Sequence, residues 1–261
     1  KVLFSEISNS FDVIWDTFEK VARTDSKFYD SRYQKKKAKW LEKRAYEHLC
    51  KFFPKDSVYK SLTYPDPTKE SGTTELDLAV KWGPFLIVME AKAKQFRFES
   101  ITGHTSMLRT DIKKNVEDSY QQALRAIQYI NKNDTCTFIE ADGGRELTFE
   151  AASIHKIFPI SLSFHHLAGI ATHLDELINM GLFTSKNYPF SICESDLELL
   201  TKVDITPDVL LHYVSKRIGI LNDENGWQGD ELDLFGAYLD SRLLLPNITD
   251  KSQEIPNYLS F

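Results

Sequence analysis

The stretch that most constrains this chain is Thr74–Lys94, TELDLAVKWGPFLIVMEAKAK. It is rich in β-branched and apolar residues on both sides of Gly83-Pro84, a turn signal, and so predicts two strands, Thr74–Trp82 and Phe85–Lys94. Alternate residues of a strand share a face. Glu75, Asp77 and Ala79 therefore lie together on the first strand, and Leu86, Val88, Glu90, Lys92 and Lys94 on the second. A two-residue turn sets Trp82 against Phe85, and that register carries Asp77 opposite Glu90 and Glu75 opposite Lys92. A face bearing these charges can be a solvated one with cross-strand ion pairs. Leu86 and Val88 on the same face argue instead that it is covered.

Covered carboxylates that converge on one point suit a hard cation. Magnesium takes oxygen ligands and is held by one or two carboxylates plus substrate phosphates, keeping several waters. Asp77 and Glu90 supply the carboxylates, and the Ala91 carbonyl can add a backbone oxygen. Lys92, on the face of Glu90, can orient an attacking water and neutralise charge developing on phosphorus. The chemistry that this set suits is metal-assisted phosphodiester hydrolysis.

Asp77, a gap of twelve residues and then Glu90-Ala91-Lys92 resembles the signature of the PD-(D/E)xK, restriction-endonuclease-like nuclease superfamily. Leu76 stands where that signature has its proline. A literal Pro65-Asp66 occurs earlier, within Tyr-Pro-Asp-Pro, which reads as a turn. The resemblance covers roughly residues 37–164. It implies an α/β fold, with a restriction-endonuclease-like core of a mixed central sheet flanked by helices. Here that core has an N-terminal helix and a helical C-terminal extension. The expected division is 1–30 as lead-in, 31–190 as core and 191–261 as an acidic helical extension.

Two further residues come from helices. Ser31–Phe53 reads as a helix ended by Pro54, and at about 100° per residue Glu42 falls with Ala38, Ala45, Leu49 and Phe53, whereas Glu47 falls with Trp40 and Lys43. Glu42 thus points to the core side, where an acid wants a partner. The family often carries a glutamate near the metal from its first core helix, and Glu42 is the match; a salt bridge to a neighbouring lysine is the alternative. Asp111–Asn131 reads as a helix whose buried stripe centres on Ala123, with Gln122 at its border. The resemblance implies a glutamine near the metal and substrate from this helix, and Gln122 fits, although an ordinary boundary glutamine would look the same.

Elsewhere the pattern predicts a lead-in helix over Leu3–Ala22 that packs on the domain, a strand at Ser57–Tyr64 and a loop at Pro65–Gly72. Gln95–Met107, with Arg97 and His104, reads as an irregular cover over the site. Strands are expected at Thr135–Glu140 and Ala152–Phe164, with Asp142-Gly143-Gly144 as a turn, and Pro159 suggests an edge or a bulge. Helices are expected from His165 to Met180, Asp196–Lys202, Pro207–Ile218 and Asp230–Leu245, with Asp230 as an N-cap. Adjacent His165 and His166 point in different directions on a helix and would not share a site.

The net charge of −6 is unevenly spread: from Phe190 on there are thirteen acids and five bases, which leaves +2 for the first 189 residues. Arg32–Arg44 holds seven bases against the single acid Glu42. Such a run is a solvated helix face, or beside a nuclease site a tracker of phosphates. Lys36, Lys39, Lys94, Arg109 and Lys113 are the candidate nucleic-acid contacts. Cys50, Cys136 and Cys193 lie far apart and give neither a disulfide framework nor zinc spacing. No apolar run approaches the roughly 20 residues of a membrane helix, and no signal-peptide pattern opens the chain. The expectation is a cytoplasmic protein that does not engage a membrane.

Together these residues lead to a Mg2+-dependent nuclease, with Mn2+ able to substitute. Asp77, Glu90, Lys92 and Gln122 carry the catalysis; Asp77, Glu90, Ala91 and Glu42 serve the metal; and Glu75 supports them. The expected partner is DNA, with RNA open, and the C-terminal extension could form a homodimer or join a larger assembly. The rival reading is a nuclease-like fold that no longer cuts and binds nucleic acid or protein.

Overall fold

The computed structural model describes residues 7–95, 105–167, 169–181, 183, 187–220 and 229–241, without the side chains of 7–13 and 16. Its centre is a seven-stranded sheet: β1 Val58–Pro65, β2 Thr73–Trp82, β3 Phe85–Lys92, β4 Thr135–Glu140, β5 Glu146–Glu150, β6 Lys156–Ser163 and β7 Phe190–Cys193. The spatial order is β5-β4-β1-β2-β3-β6-β7. β1, β2 and β3 form an antiparallel meander and β4 and β5 extend it antiparallel on one side, while β3, β6 and β7 run parallel on the other. The chain is thus a mixed α/β fold.

The β2–β3 turn does what Gly83-Pro84 predicts. Trp82 pairs with Phe85 and the register runs to Leu78 opposite Met89, with Gly83 taking the left-handed φ of 54° that a tight turn needs. The connection from β3 to its parallel partner β6 is long: it runs through the helical stretch α3 Thr105–Ile112 and α4 Asp118–Lys132, joined by a π-helical turn at Lys113–Glu117, and then through the β4–β5 pair.

Helices cover both faces. On one side Leu41, Ala45 and Leu49 of α2, Gln34–Phe52, pack with Leu78, Val80, Ile87 and Met89. On the other side Ala123, Ala126 and Ile130 of α4 pack with Ala79, Leu86 and Val88. Burying each Leu, Ile or Val side chain contributes about 1.5–3 kcal/mol, so the alternation of apolar residues on β2 and β3 fixes which face meets which helix.

That alternation breaks at one place. Val58 of β1 and Leu78 of β2 belong to the α2 side, but Leu62, Tyr64 and Leu76, an even number of residues away, belong to the α4 side. The exchange occurs between the pairs Lys60–Leu78 and Leu62–Leu76. There Ser61 has a left-handed φ of 48°, and among the described residues no other non-glycine has a positive φ. Asp77 sits across from it, at the twist.

Several elements depart from expectation. β5 and β7 are strands where none was expected, both too short to give a long alternating pattern. Residues Ala151–Ser153 form a 3-10 turn, so β6 begins at Lys156 rather than Ala152. Pro159 is in an interior strand, yet the pairing with β7 starts only at Ile160, so at Pro159 the strand has a neighbour on one side alone. His165 and His166 do not start a helix. Helices α5 Gly169–Thr172 and α6 Leu174–Asn179 come later, because the His165 side chain is drawn into a buried bond with Lys37.

The lead-in helix α1, Ile7–Arg23, has described side chains in its C-terminal half, where Trp15 packs edge-to-face on Phe164 at 5.4 Å. Glu19 is buried, 2.8 Å from Lys37 Nζ and bonded to the Tyr29 hydroxyl. Of the expected apolar stripe, Trp15 packs on the domain, Ile14, Phe18 and Val21 are largely exposed, and Phe4 and the side chains of Ile7 and Phe11 lie outside the described residues. After β7 come α7 Glu194–Leu200, α8 Pro207–Ile220 and α9 Glu231–Ser241. Leu197, Leu211 and Phe235 from these helices share the core of Leu41 and Leu78, so this acidic segment is continuous with the sheet. Asp230 caps α9 as expected, its Oδ1 accepting from the amides of Leu232 at 3.0 Å and Asp233 at 3.1 Å.

Candidate functional site

The paired register of β2 and β3 ends at Leu78–Met89, one step before Asp77 and Glu90. Beyond it the Ala91 amide is satisfied by a side chain, donating to Asp77 Oδ2 at 2.8 Å. Asp77 therefore closes the gap that the twist at Ser61 opens. In a strand the N–H and C=O of one residue point to the same edge, so the Ala91 carbonyl also faces β2.

Glu90 lies at the centre and is 1% exposed. Its Oε2 accepts from Lys92 Nζ at 3.1 Å, while its Oε1 is buried and meets no donor among the described residues, the Asp77 carboxylate being close enough to accept from the protonated Glu90 carboxyl. Burial, then the charge of Asp77, push its carboxyl up to about 8 against the opposing pull of Lys92. Lys92 also donates to Gln122 Oε1 and lies 4.0 Å from Asp77 Oδ2. Its ammonium is thus shared among Glu90, Asp77 and Gln122. The expected pairing of Glu75 with Lys92 does not form. Glu75 is exposed and the strands have parted before they reach it.

Glu42 of α2 lies near enough to feel the charges of Asp77 and Lys92, but among the described residues its carboxylate does not gather with those of Asp77 and Glu90 into a metal-sized cluster. Burial and then the Asp77 charge raise its carboxyl to about 7, opposed by Lys92 and Lys39, with Glu75 adding a smaller push. Ser119, in the first turn of α4, is a supporting residue that sequence reasoning missed. Its hydroxyl is buried and donates to the Glu90 carbonyl at 3.2 Å, holding β3 against the helix. Its signal lay in the spacing, since Ser119 precedes Gln122 by one helical turn.

Among the basic candidates, Lys94 donates to Gln34 Oε1 at 3.2 Å and, with Lys92, Gln122, Arg23 and Lys114, lines a groove of about 600 Å3 beside the site. Lys36, Lys39 and Lys113 are exposed. Arg109 is turned elsewhere, donating to the Gly181 carbonyl. His104 and Arg97, in the expected cover, lie outside the described residues. Pro65 is the last residue of β1, paired with Thr73, and the turn follows it, where Asp66 Oδ1 accepts from the Thr68 amide at 2.9 Å and from its hydroxyl at 2.6 Å.

The residues present fit a divalent cation. Two adjacent carboxylates, one nearly buried, share the single ammonium of Lys92, and Glu90 keeps its proton near neutral pH; a divalent cation could take the place of that proton. All the candidate donors are oxygens, which suits Mg2+ or Mn2+ rather than a soft metal. Comparison of the chain with protein-family models, curated proteins and solved structures gives no match.

Proposed function

We propose that the protein is a metal-dependent nuclease that hydrolyses phosphodiester bonds of DNA, on a restriction-endonuclease-like core. The observation that carries this reading is the convergence of Asp77, Glu90, Lys92 and Gln122 where β2 and β3 part, with Glu42 behind them. Asp77, Glu90 and the Ala91 carbonyl would hold Mg2+ or Mn2+. When bound, the ion supplies Lewis-acid polarisation of the phosphate.

The rest is done by the chain. Lys92 is held by Glu90 and Gln122 with its ammonium at the mouth of the groove, where it stabilises charge gathering on the non-bridging oxygens. Glu42, half-buried near Asp77 and Lys92, adds negative charge beside the ion. Lys94 and Lys114 along the groove, which also carries Arg23 and the acids Glu19, Asp111 and Asp118, could meet phosphates, contacts that position without reading sequence.

Incubating supercoiled plasmid with the protein and Mg2+ or Mn2+ tests this directly. Nicked or linear product is expected from the wild type, with a loss of about 100-fold or more in Asp77→Ala and Lys92→Ala. Equal cleavage by all three would show that the activity comes from elsewhere. An absence of cleavage together with no calorimetric binding of Mg2+ at millimolar concentration would favour a non-cutting binding subunit.

A further inference from the structure

We propose a second metal site, for zinc, formed by His166, Cys193 and Asp196. The site is independent of the carboxylate centre and does not rest on the nuclease reading. No short-range spacing announces it, because the ligands come from the segment after β6, the last residue of β7 and the first turn of α7. The fold brings one donor atom of each within 4.8 Å of the others. His166 Nε2 lies 3.4 Å from Asp196 Oδ2. Two ligands bonded at about 2.0–2.1 Å to a tetrahedral ion are separated by roughly that same distance.

The chemistry of the set favours zinc. Thiolate with imidazole and carboxylate selects a borderline-soft divalent ion, whereas Mg2+ takes oxygen donors. Cys193 and Asp196 are buried, and the His166 side chain keeps 22% exposure, which leaves a path for an ion and for a fourth ligand. Burial first, and Asp196 next, raise the Cys193 thiol well above its ordinary range. Zinc would replace that proton, which leaves to solvent. The other His-acid cluster, His48 with Glu194 and Glu198, is already served by Arg44, at 3.0 Å from Glu194 Oε1 and 2.8 Å from Glu198 Oε2.

The site would pin the end of the sheet. Lys92 pairs with Ser163 and Ser163 with Cys193, so the thiol is two strands from the site lysine at the same height. His165, next to His166, holds Lys37 at 3.1 Å, and through Glu19 that lysine anchors α1. An ion bridging His166 to Cys193 and Asp196 would tie β7, α7 and this anchor together.

Metal analysis of the full chain purified without chelator, followed by Co2+ replacement, tests the site. About one zinc per chain is expected, and the Co2+ form should show the near-ultraviolet thiolate charge-transfer band of cysteine ligation. Zinc affinity should fall by at least about 100-fold in Cys193→Ala and in His166→Asn. The wild-type Co2+ spectrum decides the matter even where a variant does not fold. No thiolate band in the wild type, or an equal band in Cys193→Ala, overturns the proposal.

Discussion

Replacing Glu90 by glutamine should stabilise the metal-free protein at alkaline pH relative to acid pH, and the size follows from the burial of this side chain. The carboxyl is 1% exposed and raised from 4.5 to about 8. A group whose folded pKa is raised binds its proton more tightly when folded. The stability it contributes is fully present below about pH 4.5 and is lost as pH rises through about 8. At about 1.4 kcal/mol per pK unit, the wild type should lose on the order of 3–5 kcal/mol from this group between pH 5 and pH 9. Glutamine does not titrate, so Glu90→Gln should lack that loss; groups that do not interact with Glu90 cancel in the difference, whereas Asp77 and Lys92 interact with it and contribute to the gap. For a chain of this size the gap corresponds to roughly 10 °C in melting temperature at pH 9. Urea and thermal unfolding of both proteins in EDTA at the two pH values measure it. Parallel pH profiles would refute the reasoning, since Glu90 would then titrate no differently folded than unfolded.

Gln122→Ala removes one of the acceptors that hold Lys92 and should lower the cleavage rate by about 10-fold with little change in melting temperature; a large loss of stability instead would make Gln122 a structural residue. Ser61→Gly should stabilise the fold by about 0.5–1 kcal/mol, because a left-handed φ costs a non-glycine residue about 1–2 kcal/mol and glycine gives part of this back as unfolded-chain entropy. Destabilisation in urea titrations would contradict it. Arg217→Met should cost about 3–5 kcal/mol in the same assay. Arg217 and Glu231 are 1% and 2% exposed and 2.9 Å apart, and removing the guanidinium strands a buried acid; a near-neutral change would mean that Glu231 carries no charge.

Much of the site was legible because its geometry is local. A two-residue turn and the period of a strand were enough to set Leu78 opposite Met89, and with it Asp77 and Glu90 on adjoining strands. Helical periodicity put Gln122 and Glu42 on faces turned to the sheet. What escaped depends on distant contacts. Nothing in the string around Ser61 announces a left-handed residue, so the parting of the strands, which leaves Glu75 exposed and ends its pairing with Lys92, could not be read. The apolar stripe of α1 did not announce the buried ion pair of Glu19 with Lys37, whose partners lie 18 residues apart. β7 is four residues long and its partner lies about thirty residues earlier, so its pairing with β6 is a tertiary fact. The meeting of His166 with Cys193 and Asp196 is of the same kind.

Anomalous diffraction from a crystal soaked in Mn2+ would test the central claim most directly. The account predicts a manganese peak bonded to one carboxylate oxygen from each of Asp77 and Glu90, with the Lys92 ammonium beside it. A protein that cuts DNA while its manganese sits elsewhere, or one that takes up no manganese between these two carboxylates, would contradict it.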